Sequence, residues 1–516
     1  MIATFVISMI AHAYAYFNSS FTTDRYRWFG HYTIRNLSGA AMGKWFGQYL
    51  GFLNWNSYLP WLDGVIAIFY VSVSTYLICE VLDVKRTLSI WMTAGLIATD
   101  SCVIMANFYN PEGFLLALVT ACISVWFWHN SKLTVPVRFA GGAAFISLSL
   151  GTYGSYTTVA PTVVVLACMI MLIEGEDWRM VLKRGLEYIA EFLTGLGVYY
   201  AVQRLLLKIQ DIEMLSYMNE DRLISGASFN EILYFIEIGY KNSVLRYLGD
   251  YRGKYRVMPQ WMAITMLASG VLLVVILLIG NSEIHKKMGS LILLTCLALV
   301  FPMSAGAIYV MAFGTVHSLM VFTYVILYVG FVKLVEMSTA DRTITDWRGP
   351  MTGILSMIML ACTVFVIYKG ILVANMAYSR LDNLNNISNG IALRVLDRIE
   401  SCEGFEGNER ICFVGDITDS DYFSRSRYED SDWIDLLNGI IAVDKSQANT
   451  FLYYTHLIMY MKENTEINLE IDYFDADQNT YSDVELRDIN AMPLFPADGS
   501  VCKFNDTVVV KFANVE

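Results

Sequence analysis

Eleven long apolar runs dominate this chain, and for most of its length they leave only lipid as solvent. They lie near residues 1–17, 58–79, 88–106, 113–130, 138–153, 156–173, 186–206, 259–280, 289–309, 316–336 and 351–373. Each is roughly 20 residues long, enough for a helix to cross a hydrocarbon core of ~30 Å. The hydrophobic fraction of 55% exceeds what a single aqueous core can hide. The expected fold class is therefore a polytopic α-helical membrane protein of about eleven transmembrane helices, counted from these runs.

Charge divides the chain in two. The net charge of −12 belongs to the end of the chain, because residues 380–516 carry 26 acids against 11 bases. The remainder is slightly basic, and its basic residues are unevenly placed. Lys85 and Arg86, Lys132 and Arg138, Arg179 with Lys183 and Arg184, Lys286 and Lys287, and Arg342 and Arg348 fall in alternate connections. The positive-inside rule makes that side cytoplasmic. An odd number of spans then puts outside the loops 18–56 and 210–258 and the whole acidic C-terminal domain. The domain expectation is 1–376 for the membrane part and 380–516 for the extracytoplasmic part. A retained first helix is favoured, with a cleaved signal peptide as the alternative, since "AHAYA" offers small residues but no basic segment precedes it.

The C-terminal domain reads as a small α/β or α+β unit. "NGIALRVLDRIESC" has the pattern of an amphipathic helix, "RICFVGDI" of a buried strand, and "NTFLYYTHLIMYMKEN" of a second helix. "SVCKFNDTVVVKF" reads as a hairpin turning at Asn505 and Asp506. No Gly-rich phosphate loop or dinucleotide fingerprint occurs, and nothing points to nucleic acid. Six of the nine cysteines fall in apolar runs, where a small polarizable side chain packs well. Cys402, Cys412 and Cys502 lie in the tail, where an oxidising space would allow one bridged pair and leave one thiol over.

Polar groups at the outer helix ends are the candidate site. Asp24 follows the first span with Arg25 and Arg27 beside it, so pairing with these arginines is its structural explanation. Glu112 opens the fourth span and Asp63 the second, positions where a helix N-terminus favours an acid. Acids from separate parts of the chain at one depth suit deprotonation of a hydroxyl nucleophile. Lys44, Arg204, Lys208, Arg246, Arg252, Lys254, Arg256 and Lys369 lie at or above outer ends, against the usual bias. A lipid phosphate accounts for such cations, and snorkelling to headgroups accounts for any single one. Lys369, about one turn inside the last span, is the costliest to place. His317 begins the tenth span, and Tyr153 and Tyr156 occupy the outer turn between the fifth and sixth.

The first loop with Asp24 and "GKW" at Gly43 to Trp45, "LPWLDG", "FYNPEGFLLAL", "LSLGTYGSYTT", "VHSLM", "ANMAYSRLDN" with "RVLDRIE", and "MPLFPADGSVCKFNDTVVVKF" together resemble the bacterial and phage O-antigen glucosyltransferase family. The likeness runs in order along nearly the whole chain. Lys44 stands where that family commonly has arginine, Gly154 where it commonly has glutamine, and Glu112 where aspartate is frequent.

The resemblance implies a GT-C-type membrane enzyme in the bacterial cytoplasmic membrane. Such an enzyme moves a hexose, glucose by this likeness, from a polyprenyl-phosphate donor to a cell-surface polysaccharide at the external face. It implies inversion in one displacement, with Asp24 as base and Glu112 binding acceptor or an optional divalent metal. Arg25, Lys44 and Lys369 become candidates for the lipid phosphate, and Tyr153, Tyr156 and His317 for the sugar cavity. The acidic tail is expected over that cavity. The competing expectation is a transporter or flippase for a lipid-linked sugar, which predicts internal repeats and mid-membrane charges. A third is a membrane-anchored receptor or assembly factor whose tail does the work.

Overall fold

The structure, a computed structural model, describes residues 1–18, 20, 22, 39–47, 49–50, 59–109, 111–215, 228–251, 255–280, 288–340, 348–415, 432–437, 439–440, 443, 470–473 and 486–514. Asp24, Arg25 and the stretch "NTFLYYTHLIMYMKEN" lie outside the described residues. The chain divides into two compact units, one of residues 1–18 and 31–376 and the other of residues 19–30 and 377–516.

The first unit is helical. Its elements are α1 (Ile2–Phe17), α2 (Pro60–Val81), α3 (Thr87–Ala98), α4 (Ser101–Tyr109), α5 (Pro111–His129), α6 (Val135–Thr157), α7 (Val159–Ile173) and α8 (Trp178–Gln210). Then come α9 (Phe229–Tyr247), α10 (Gln260–Gly280), α11 (Met288–Ala305), the short α12 (Ile308–Met311), α13 (Val325–Ala340) and α14 (Arg348–Glu400). Every apolar run of the sequence falls on this helical framework. By length and apolarity, however, seven of the described helices can cross a membrane, or eight when the bent pair α3–α4 counts as one span. α1 and α7 are apolar but shorter. α8 is long, but the arginines, lysines and glutamates along it dilute its apolar character. The protein is thus a multi-pass membrane protein with seven or eight candidate spans, fewer than the eleven runs suggest.

Packing orders these helices by small residues. α5 packs against α6 and α2, and α6 against α8. At the α6–α8 contact Gly195 lies so close to Ala143 and Ile146 that a Cβ there would come within 2.7 Å of Ile146. Gly64 of α2 is similarly covered by the ring of Tyr16 on α1. Close backbone approach of this kind suits helices that gain nothing from hiding apolar surface in lipid.

α14 runs 53 residues without interruption. The expected amphipathic helix "NGIALRVLDRIESC" is its C-terminal continuation, because no proline separates the apolar first half from the polar second half. Beyond it the second unit carries a four-stranded sheet in the order β2-β1-β4-β3. The strands are β1 (Arg410–Val414), β2 (Glu470–Tyr473), β3 (Val501–Phe504) and β4 (Thr507–Lys511). β1 pairs parallel with β2 and β4, whereas β3 and β4 form the antiparallel hairpin, Phe504 facing Thr507. Asn505 takes a positive φ of 51°, which asparagine tolerates in such a turn. Cys412, Val414, Val509, Ile489 and Met492 form its core, the last of these just beyond α15 (Leu486–Ala491). All nine cysteines are free thiols, so the tail carries no bridge. Of the six in apolar runs, Cys296 is exposed and the other five are buried.

Candidate functional site

The span built from α3 and α4 breaks between them with a bend of 48°. Asp100 makes the break. Its carboxylate accepts the Cys102 N–H at 2.8 Å, and its carbonyl accepts from Val103 and Ile104, so it starts a new helix as an N-cap. Thr99 just before it turns its hydroxyl back to the Gly95 carbonyl at 2.8 Å. From Thr93 to Phe108 every residue is buried except Asp100. The acid is enclosed by surrounding protein yet keeps part of its surface open. A carboxylate retained inside an apolar span marks a functional group more often than a structural one.

Several of the expected site residues converge on α4. The Cys102 thiol donates to the Ser318 carbonyl at 3.0 Å, which seats the irregular segment that begins at His317 against α4. The Tyr156 hydroxyl reaches the Cys102 carbonyl at 3.4 Å. Tyr153 lies beside Tyr156 with ring centroids 5.7 Å apart, and the Lys44 ammonium sits 5.3 Å over the Tyr153 ring. α6 is interrupted at Tyr153, whose extended ψ of 100° turns the ring toward Phe114 of α5, 4.6 Å away. The Phe46 N–H donates to the Gly151 carbonyl at 2.7 Å, fixing the segment that carries Lys44 to the same part of α6. Gly154 has room, since a Cβ there would meet only Met311 and Leu150 at 3.3 and 3.9 Å.

Glu112 occupies the first turn of α5, buried at 6% exposure, two residues before Phe114, and acts electrostatically on Tyr70 of α2. Asp63 is buried in the first turn of α2. Lys369 approaches from α14. It donates to the Arg256 carbonyl and lies 5.3 Å over the ring of Tyr255. Its neighbour Gly370 packs directly on Thr99, where a Cβ would come 2.6 Å from the carbonyl oxygen. Lys44, Tyr153, Tyr156, His317 and Lys369 therefore link, through short chains of neighbouring residues, to the segment around the break at Asp100.

Asp100 and Tyr255 at this place are not among the site residues expected from the sequence, and Arg246 is one of eight outer cations there. Asp100 has a recognisable signal, an acid inside "LIATDSCVIM". Tyr255 is buried within electrostatic reach of Asp100. Arg246, at the end of α9, is 7% exposed, and its guanidinium stacks 4.8 Å over Tyr324 and 5.3 Å over Tyr251. The Tyr324 ring is held in turn by its hydroxyl, 3.0 Å from the Ser243 hydroxyl. Arg246 acts electrostatically on Asp100, but no ion pair joins them. Among the described residues no group of three His, Cys, Asp or Glu side chains converges as a metal site would need.

The opposite end of the same helices has a different character. Lys333 of α13 is buried, donates to the Asp83 carbonyl at 2.7 Å and pairs with Asp83 and Glu174 at 3.6 and 3.4 Å. Glu336 accepts the backbone N–H groups of Lys85 and Arg86 at 3.0 and 3.1 Å. Aromatic rings, one acid and stacked cations thus gather at one end of the bundle, away from the basic connections. That arrangement suits an anionic, hydroxyl-rich ligand: rings for a sugar face, carboxylates for hydroxyls, cations for phosphate.

A family model described as Glucosyl transferase GtrII matches residues 14–334. The match takes in Lys44, Asp100, Glu112, Tyr153, Tyr156, Arg246 and His317, and ends before Lys369 and the C-terminal part of the second unit, residues 377–516. No curated protein and no solved structure matches the chain.

Proposed function

The chain belongs to the GtrII glucosyl transferase family and transfers glucose to O-antigen from within a membrane, and from that premise we propose how it does so. The donor is a polyprenyl-phosphate-linked glucose, and the reaction runs at the external face of the bacterial cytoplasmic membrane, the side of the acidic C-terminal domain. Asp24 takes the proton of the acceptor hydroxyl as its oxygen attacks the anomeric carbon. The bond from that carbon to the phosphate oxygen breaks, its electron pair leaves with the lipid phosphate, and the anomeric configuration inverts. A phosphate is a good leaving group, so cations placed to meet its growing charge lower the barrier without a strong general acid.

In this scheme Arg25, Lys44 and Lys369 serve the lipid phosphate, Glu112 orients the acceptor or an optional divalent ion, and Tyr153, Tyr156 and His317 line the sugar cavity. The observation that carries it is the convergence of Lys44, Tyr153, Tyr156, His317 and Lys369 on the helix break at Asp100. These residues, drawn from separate stretches of the chain, meet at one end of the bundle, where a lipid-borne substrate can enter from the side.

Purified protein given polyprenyl-phosphate glucose and O-antigen tests the scheme, with Asp24→Asn read beside the parent. Transfer should fall by on the order of 10³-fold or more in the variant, and nuclear magnetic resonance of the product should show the anomeric configuration opposite to the donor's. Undiminished transfer by Asp24→Asn removes that residue as base, and a retained configuration removes the single displacement.

A further inference from the structure

Resting on the glucosyl-transfer reading above, we propose that Arg246 is the anchor for the phosphate ester of the glucose donor, with Asp100 accepting a hydroxyl of the attached sugar.

Arg246 is 93% hidden by its surroundings, at 7% exposure. The polar contacts of its guanidinium among the described residues are two tyrosine faces, Tyr251 and Tyr324, and no hydrogen-bond acceptor or carboxylate among those residues meets its N–H donors. A buried guanidinium costs several kcal/mol when its donors go unmatched. The other described cations of this end avoid that cost. Lys369 donates to the Arg256 carbonyl, Lys44 is half-buried, and Arg204 and Lys208 are exposed.

The surroundings hold Arg246 in place rather than neutralise it. Cation–π stacking on two rings fixes the plane of the guanidinium, and the Ser243 hydroxyl fixes one of those rings. A planar fork held in this way is ready for two phosphate oxygens, a geometry lysine cannot offer. Among the groups on which Arg246 acts electrostatically is Asp100, which keeps open surface in a stretch otherwise buried from Thr93 to Phe108. Its carboxylate oxygens are acceptors only, so a sugar hydroxyl is its natural donor. A ligand carrying both a phosphate and hydroxyls would match this arginine and this acid, which act on one another electrostatically without forming an ion pair.

The full chain in lipid nanodiscs, with Arg246→Gln and Arg246→Lys variants, decides the matter. Binding is measured for polyprenyl-phosphate glucose, for a phosphate-free polyprenyl glucoside of equal chain length, and for UDP-glucose. Arg246→Gln should bind the phosphate lipid about 10- to 100-fold more weakly and the phosphate-free glucoside as the parent does. Arg246→Lys should recover part of the loss. Parent-like affinity for the phosphate lipid in Arg246→Gln overturns the assignment, as does an equal loss for both lipids, which would mark a packing role.

If the glutamine variant does not fold, the lysine variant read against the two lipids separates the same two outcomes: a loss confined to the phosphate lipid supports the anchor, and parent-like or equal losses overturn it. Should the parent bind UDP-glucose and not the lipid, the donor proposed above fails. Arg246 is then retained if Arg246→Gln weakens UDP-glucose by the same factor, and overturned if it does not.

Discussion

The two ends of the helical unit treat buried charge in opposite ways. At the end of the basic connections, Lys333 has a carbonyl and two carboxylates, and Glu336 has two backbone N–H groups. At the other end Arg246 has only ring faces among the described residues, and Asp100 has one backbone N–H with surface left open. Matched charges pin helices together. Unmatched ones are costly to keep in the empty protein, and binding a ligand of complementary chemistry offsets that cost. The first end has the matched charges of a cohesive contact, and the second is where we propose the substrate binds.

Asp100→Asn should break that contrast most. Asparagine is an equally good N-cap, so the bend between α3 and α4 persists while the charge is lost. Transfer is expected to fall about 100-fold with little change in melting temperature; a large loss of stability with an unchanged rate per folded molecule would reverse the assignment of this end. Lys333→Met should do the opposite. It strips the cation from Asp83 and Glu174, both partly exposed, and should cost about 1–3 kcal/mol of stability by thermal or denaturant unfolding in detergent. The rate per folded molecule should hold.

Lys369→Met lies between these. The cation already has a carbonyl partner, so its loss should reduce transfer only ~10-fold, seen first in KM for the donor. The smallest effect concerns the C-terminal unit, which resembles the matched end. Glu409 is buried, and burial works against its charge. The Lys503 ammonium at 2.6 Å and the N–H groups of Glu406, Gly407 and Asn408 outweigh that and bring its carboxyl down to about 2. A depressed carboxyl contributes stability that is complete above its unfolded value of about 4.5 and is lost as pH falls toward 2. Glu409→Gln should therefore lower the melting temperature of this unit by a few degrees at pH 7, with the difference from the parent shrinking below pH 4.

Much of the architecture is legible in the chain. Apolar runs identify most of the helices, though not α9, which lies within the expected loop 210–258; the charge shift near residue 380 separates two environments, and "FNDT" sets the β3–β4 turn. Boundaries within α14 are less so. Solvent changes along that helix, but the backbone ladder is the same in lipid and water, so composition shifts where structure does not. Among the described residues seven or eight helices have the length and apolarity of a span, because α1 and α7 are apolar but shorter and α8 is punctuated by charge.

For the candidate site, short local patterns single out Tyr153, Tyr156 and His317 as candidates, and Asp100 carries its own signal as an acid in an apolar run. Arg246 carries none. It is one cation among eight near the same helix ends, and only its burial separates it from the rest.

The sequence by itself determined that this protein lives in a membrane, most of the stretches that become helices, and which family it belongs to, because those follow from local apolarity and ordered motifs. Tertiary structure decided which charges are matched. Ion pairing depends on side chains that meet from distant helices, Lys333 with Asp83 but Arg246 with no carboxylate among the described residues, and no local pattern encodes that meeting.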